Sequence, residues 1–110
     1  MTNLETAHCV PCSGAATPLS EDEISMHRAS VPGWEVKEEG GVKRLSKAFA
    51  FTGFNEAMEF AVKVGRLAEE EGHHPAILVE WGKATVSWWT HAIGGLHLND
   101  FIMAAKTDRL

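Results

Sequence analysis

The segment EEEGHHPAILVEWGKATVSWWTH, residues 69–91, decides the fold. Gly72 is suited to close a helix because it tolerates positive φ. Pro75 bars helical continuation through His74. Beyond it, Ile77, Val79 and Trp81 alternate with Leu78 and Glu80, the period of a strand. Gly82-Lys83 supplies a tight turn, and residues 84–90, rich in β-branched and aromatic side chains, form a second strand. A hairpin over residues 76–89 carries the chain out and back, so His91 returns toward His73 and His74. Three of the six histidines fall within these nineteen positions, 73–91. Imidazoles with a carboxylate nearby can move protons near neutrality, since the free group titrates at about 6.5.

Working upstream, Phe54, Ala57, Met58, Ala61, Val62, Gly65 and Ala68 recur at helical steps and predict one apolar helix face, with Thr52 as cap. Residues 34–38 and 42–51 read as two strands joined through Glu39-Gly40-Gly41. Ser20-Glu21-Asp22-Glu23 is a capping box and opens a first helix that ends before Pro32-Gly33. Downstream, Gly94-Gly95 breaks the last strand. A final helix over residues 98–106 carries Leu98, Ile102 and Ala105 on one stripe. Asp100 in its first turn complements the helix dipole. The order is α-β-β-α-β-β-α. The economical fold is α+β: a four-stranded antiparallel sheet with helices packed on one face. Residues 1–18 read as a flexible N-terminal tail and 19–110 as a single domain.

The chain has 110 residues, 45% of them hydrophobic, and a net charge of −5. These values fit one domain with a packed core. No apolar run reaches the roughly 18 residues of a membrane span, and the N-terminus does not read as a secretory signal. The acidic balance and the lack of a basic stripe argue against nucleic-acid binding. Cys9 and Cys12 form a C-x-x-C pair, open to redox chemistry or half a zinc site. No preceding strand supports the first, and no second ligand pair supports the second. Two reduced thiols in a tail is the plainer reading.

Each histidine also has a purely structural explanation, as a helix C-terminal partner or a satisfied strand-end group. Their joint placement around one hairpin favours acid–base chemistry. No HExxH or two-histidine-one-carboxylate pattern supports a metal centre. Trp34, Trp81, Trp88 and Trp89 read mainly as core or interface residues. Trp88 and Trp89, being adjacent on a strand, should face opposite sides.

Glu69-x-x-x-His73-His74-Pro75, Thr90-His91 and Gly95-Leu96-x-x-x-Asp100 together resemble the pterin-4a-carbinolamine dehydratases, over roughly residues 19–106. Gly33-Trp34 and the run Phe49-x-Phe51-x-x-Phe54-x-x-Ala57-x-x-Phe60 are similar as well. The resemblance implies loss of water from a 4a-hydroxytetrahydropterin to give a quinonoid dihydropterin, with neither metal nor cofactor. It implies general acid/base roles for His73 and His91. His74 would bind and orient the pterin with some acid–base contribution, and Glu69 would orient an imidazole. Pro75 would shape the pocket, the backbone of Thr90, His91, Ala92 and Ile93 would contact the pterin ring, and Trp34 would line the wall. His97 departs from the Ser or Thr frequent in the family and is a weaker cap. The tail and the closing GLHLNDFIMAA run are most similar to bacterial members linked to phenylalanine hydroxylase. A cytoplasmic homodimer or homotetramer is implied. The alternative is a protein-binding module on the same fold, coactivator-like or regulating a hydroxylase.

Overall fold

A computed structural model describes residues 4–9 and 17–110. The first helix, α1 (Glu21–Arg28), starts where the capping box requires. Ser20 Oγ accepts the Glu23 amide at 3.2 Å, and the Glu23 carboxylate accepts the Ser20 amide at 2.9 Å. Such a cap stabilises by about 1 kcal/mol. The Ser20 amide, then its hydroxyl, hold the Glu23 carboxyl below its ordinary value.

Strands β1 (Glu35–Glu39) and β2 (Val42–Ala50) follow. Gly40 and Gly41 join them at φ 58° and 80°, the pair of positive values that a tight two-residue hairpin turn demands. Helix α2 (Phe54–Glu71) leads to β3 (Ala76–Glu80) and β4 (Lys83–Trp88), and α3 (Leu98–Thr107) ends the chain. The sheet is antiparallel in the order β1-β2-β4-β3, so β2 and β4 are central. Val36, Leu45, Phe49, Ile77, Val79, Ala84, Val86 and Trp88 point to the helices and join one core.

Four details differ from expectation. Gly53, not Thr52, precedes α2, with no side-chain cap. The second hairpin turns at Trp81-Gly82 and pairs Glu80 with Lys83, leaving Trp81 exposed. In α2 the buried face is Ala57, Phe60, Val64 and Ala68, while Phe54, Met58 and Val62 are exposed. The helix is apolar on two adjoining stripes, and only one fits the sheet. Helix α3 is buried over Asn99, Asp100, Phe101, Ile102, Met103 and Ala104 rather than along one stripe. It is enclosed because α1, α2, the sheet and the N-terminal segment all contact it.

That last contact departs from a flexible tail over residues 1–18. A 3₁₀ turn, Leu4–Thr6, packs on α3, and the Leu4 side chain enters the core. Cys12 lies outside the described residues. No helix among those described is long and apolar enough to cross a membrane.

Candidate active site

The end of α2 sets the backbone of His73. Gly72 sits at φ 67°, with its amide on Glu69 O and the His73 amide on Ala68 O at 3.1 Å. This double closure is the Schellman pattern, for which glycine is the favoured left-handed residue. The chain leaves it already aimed at β3. Strand β3 pairs with β4 at Ala76–Ser87. Continuing that register by three residues sets His73 opposite Thr90. Antiparallel pairing thus brings two stations, distant in sequence, to the same end of the sheet.

Helix α3 meets them there. Asp100, fully buried, accepts from His73 Nε2 at 2.6 Å through Oδ1. Its Oδ2 accepts the Thr90 hydroxyl and the His97 amide, each at 2.9 Å. The His97 imidazole caps α3 by accepting the Asn99 amide at 3.0 Å, so the helix starts at Leu98 as expected despite the unusual cap. The His73 ring stacks on the buried Trp88 indole, 5.8 Å between centroids and 7° between planes. One nitrogen, one face and the backbone of His73 are therefore fixed. Nδ1 is the ring atom left for a ligand, and the side chain keeps 11% exposure.

The other expected residues stand differently. His74 is exposed and its Nε2 meets Glu69 Oε1 at 2.5 Å, so Glu69 orients His74, not His73. His91 begins the turn His91–Ile93, closed by the Thr90–Gly95 bridge, and is exposed. Its ring packs on Trp89 at 4.5 Å between centroids. Trp89 is covered in turn by the Arg44 guanidinium at 3.9 Å. Trp88 faces the helices and carries His73, while Trp89 turns the other way beneath Arg44 and carries His91. Pro75 is half-buried beside the start of β3, Ala92 is exposed and Ile93 half-buried. A groove of 280 Å³ runs along the open face past Arg44, Ser46, Ala76 and Ser87.

Trp34 is not brought to this group. It is wholly buried, with its indole N–H on Asp108 Oδ2 at 3.0 Å and its ring edge-on to Phe49. Asp108 follows the C-terminal end of α3, while Asp100 lies in its first turn, so Trp34 belongs to the opposite end of that helix.

Two members of this hydrogen-bonded group escaped the sequence reading: the Asp100 carboxylate as the partner of His73, and the Thr90 hydroxyl as its support. The signal for Asp100 was its place in the Gly95-Leu96-x-x-x-Asp100 motif. A first-turn aspartate also satisfies a helix dipole, which hid the longer-range role.

Residues 17–110 match the Pterin 4 alpha carbinolamine dehydratase family. The chain belongs to that family. It is a family of hydro-lyases, and the match takes in every residue of the His73–Asp100–Thr90 group. A Chlorobaculum tepidum protein provisionally named pterin-4-alpha-carbinolamine dehydratase is 54% identical over 110 residues, covering 100% of this chain and 99% of that protein. The crystal structure of a transcriptional coactivator/pterin dehydratase from Brucella melitensis superposes with a TM-score of 0.74 at 26% identity, covering 84% of this chain and 97% of that one. A pterin dehydratase-like protein identified as a RuBisCO assembly factor in the alpha-carboxysome shares the fold, with a TM-score of 0.58 at 23% identity over 70% of this chain and 87% of that one.

Proposed function

We propose that this protein is a 4a-hydroxytetrahydropterin dehydratase that eliminates water to give a quinonoid dihydropterin by histidine general acid/base catalysis. The observation that carries the reading is the His73 imidazole held by Asp100 and stacked on Trp88. An ionised carboxylate can only accept, so it keeps the proton on Nε2 and leaves the Nδ1 lone pair as a base.

Elimination needs one proton taken from a pterin ring nitrogen and one delivered to the departing hydroxyl. His73 Nδ1 suits the first task. His74 and His91, exposed at the same end of the sheet, suit delivery of the second and binding of the ring, with Glu69 orienting His74. Pro75 and the backbone of Thr90, His91, Ala92 and Ile93 border the ring. Each positioned acid or base contributes roughly 10²–10⁴-fold. No step calls for a metal or cofactor.

The exposed stripe Phe54, Met58 and Val62 on α2 supports assembly into a homodimer or homotetramer. The likeness of the N-terminal Cys-x-x-Cys segment and the closing GLHLNDFIMAA run to hydroxylase-linked members supports a cytoplasmic role in pterin recycling for a phenylalanine hydroxylase. The same α2 stripe favours the second reading, a protein-binding module.

Stopped-flow decay of a 4a-hydroxytetrahydropterin decides between them. Acceleration by the wild type that is lost in folded His73→Ala carries the dehydratase reading. No acceleration by folded wild type would sink it and leave the binding module.

A further inference from the structure

Glu71, the last residue of α2, has no part in the chemistry above, yet its side chain is only 6% exposed. Its setting is unfavourable by itself. A helix C-terminus carries partial negative charge. Glu69, Glu70 and Glu71 crowd that end, with no basic residue in the last turn. A buried carboxylate there needs donors, and they come from the other end of the chain. The Cys9 amide donates to Oε1 at 3.0 Å, and His8 Nδ1 lies 3.1 Å from Oε2. The Cys9 amide, against burial and with help from His8 and Lys106, holds the Glu71 carboxyl below its ordinary value. The backbone amide matters more than His8, whose side chain is 79% exposed, because exposed ion pairs are worth little.

The same short segment also touches α3. Cys9 Sγ lies 3.9 Å from Asn99 O, and Leu4 is buried among core residues beside α3. Residues 4–9 thus join two places: the end of α2, two residues before His73, and the start of α3, one residue before Asp100. These are the two elements whose relative position sets the 2.6 Å contact of His73 with Asp100.

We propose that Glu71 is a positioning residue: by clamping the Cys9 amide it seats the N-terminal segment across α2 and α3 and holds His73 and Asp100 in hydrogen-bond register. For its kinetic readout the inference rests on the dehydratase reading; its spectroscopic readout does not.

The test uses full-length Glu71→Ala and Glu71→Gln. It measures kcat and KM for 4a-hydroxytetrahydropterin dehydration, and the ¹⁵N shifts of the His73 ring. Glu71→Ala should lose roughly tenfold in kcat with KM near wild type, as expected for a misplaced reacting group. Its His73 ring should lose the single Nε2–H tautomer. Glu71→Gln keeps an oxygen for the Cys9 amide and should restore most of both. Wild-type kcat and unchanged His73 shifts in Glu71→Ala would overturn the proposal, whatever its Tm, because a plain structural brace predicts that result. Equal losses in Ala and Gln would overturn it too. Should Glu71→Ala not fold, Leu4→Ala, which undocks the segment from α3, is read by the same criteria. If the wild type lacks dehydratase activity, that reading fails on its own, and the His73 shifts alone decide the clamp.

Discussion

Asp100 Oδ1 lies 2.6 Å from His73 Nε2, across 27 positions of sequence, and Asp100 is wholly buried. One carboxylate therefore ties the end of α2 to the start of α3 and selects which imidazole nitrogen faces outward.

Replacing Asp100 with Asn should separate chemistry from folding. The amide can donate as well as accept, so Nε2–H is no longer enforced. We expect kcat to fall by about 10²-fold. Stability should fall by about 1–3 kcal/mol, because the Thr90 hydroxyl and His97 amide lose a charged acceptor. Stopped-flow turnover with a urea titration checks both; kcat within twofold of wild type would remove Asp100 from the scheme.

Glu69 should matter less than Asp100. Its side chain is 79% exposed and that of His74 is 58% exposed. Glu69→Gln should change stability by less than about 1 kcal/mol and cost less turnover than Asp100→Asn. A larger kcat loss from Glu69→Gln than from Asp100→Asn would make His74, not His73, the principal base.

Glu71 gives stability a specific dependence on acid. The Cys9 amide, then His8 and Lys106, hold its carboxyl below the ordinary value of 4.5, against burial, which raises it. A depressed folded value means a contribution present above the ordinary value and lost as pH falls through the folded one. The Tm advantage of wild type over Glu71→Gln should therefore be complete above pH 4.5 and shrink below it. A difference that stays constant down to the acid transition contradicts this.

The second apolar stripe of α2 should set the oligomeric state. Phe54, Met58 and Val62 are 48%, 40% and 47% exposed. Met58→Glu with Val62→Glu should lower the mass seen by light scattering while leaving the circular dichroism unchanged. An unaltered mass would move the interface elsewhere.

Local order was legible in the residues themselves. The Ser20–Glu23 capping box, the Gly40-Gly41 turn, the stop at Gly72 and the opposed faces of Trp88 and Trp89 are short-range effects. Each depends on backbone preference or on a period of two. The α-β-β-α-β-β-α order follows from them. Partnerships were not legible. Nothing in periodicity tells which of two apolar stripes on α2 meets the sheet, since both satisfy helical spacing and packing selects one. Trp34 looked available to a ligand and proved to be sealed beside Asp108.

What the sequence determined alone was the set of elements, their order, and a histidine-bearing hairpin end. Only the tertiary structure decided that His73 takes its carboxylate from Asp100 rather than from Glu69, four residues upstream. It also decided that the N-terminal segment is seated on Glu71. The reason is physical. Helix caps and turns are set by neighbours a few residues away. A buried carboxylate finds donors only where distant segments converge out of water, and that convergence is a property of the packed core.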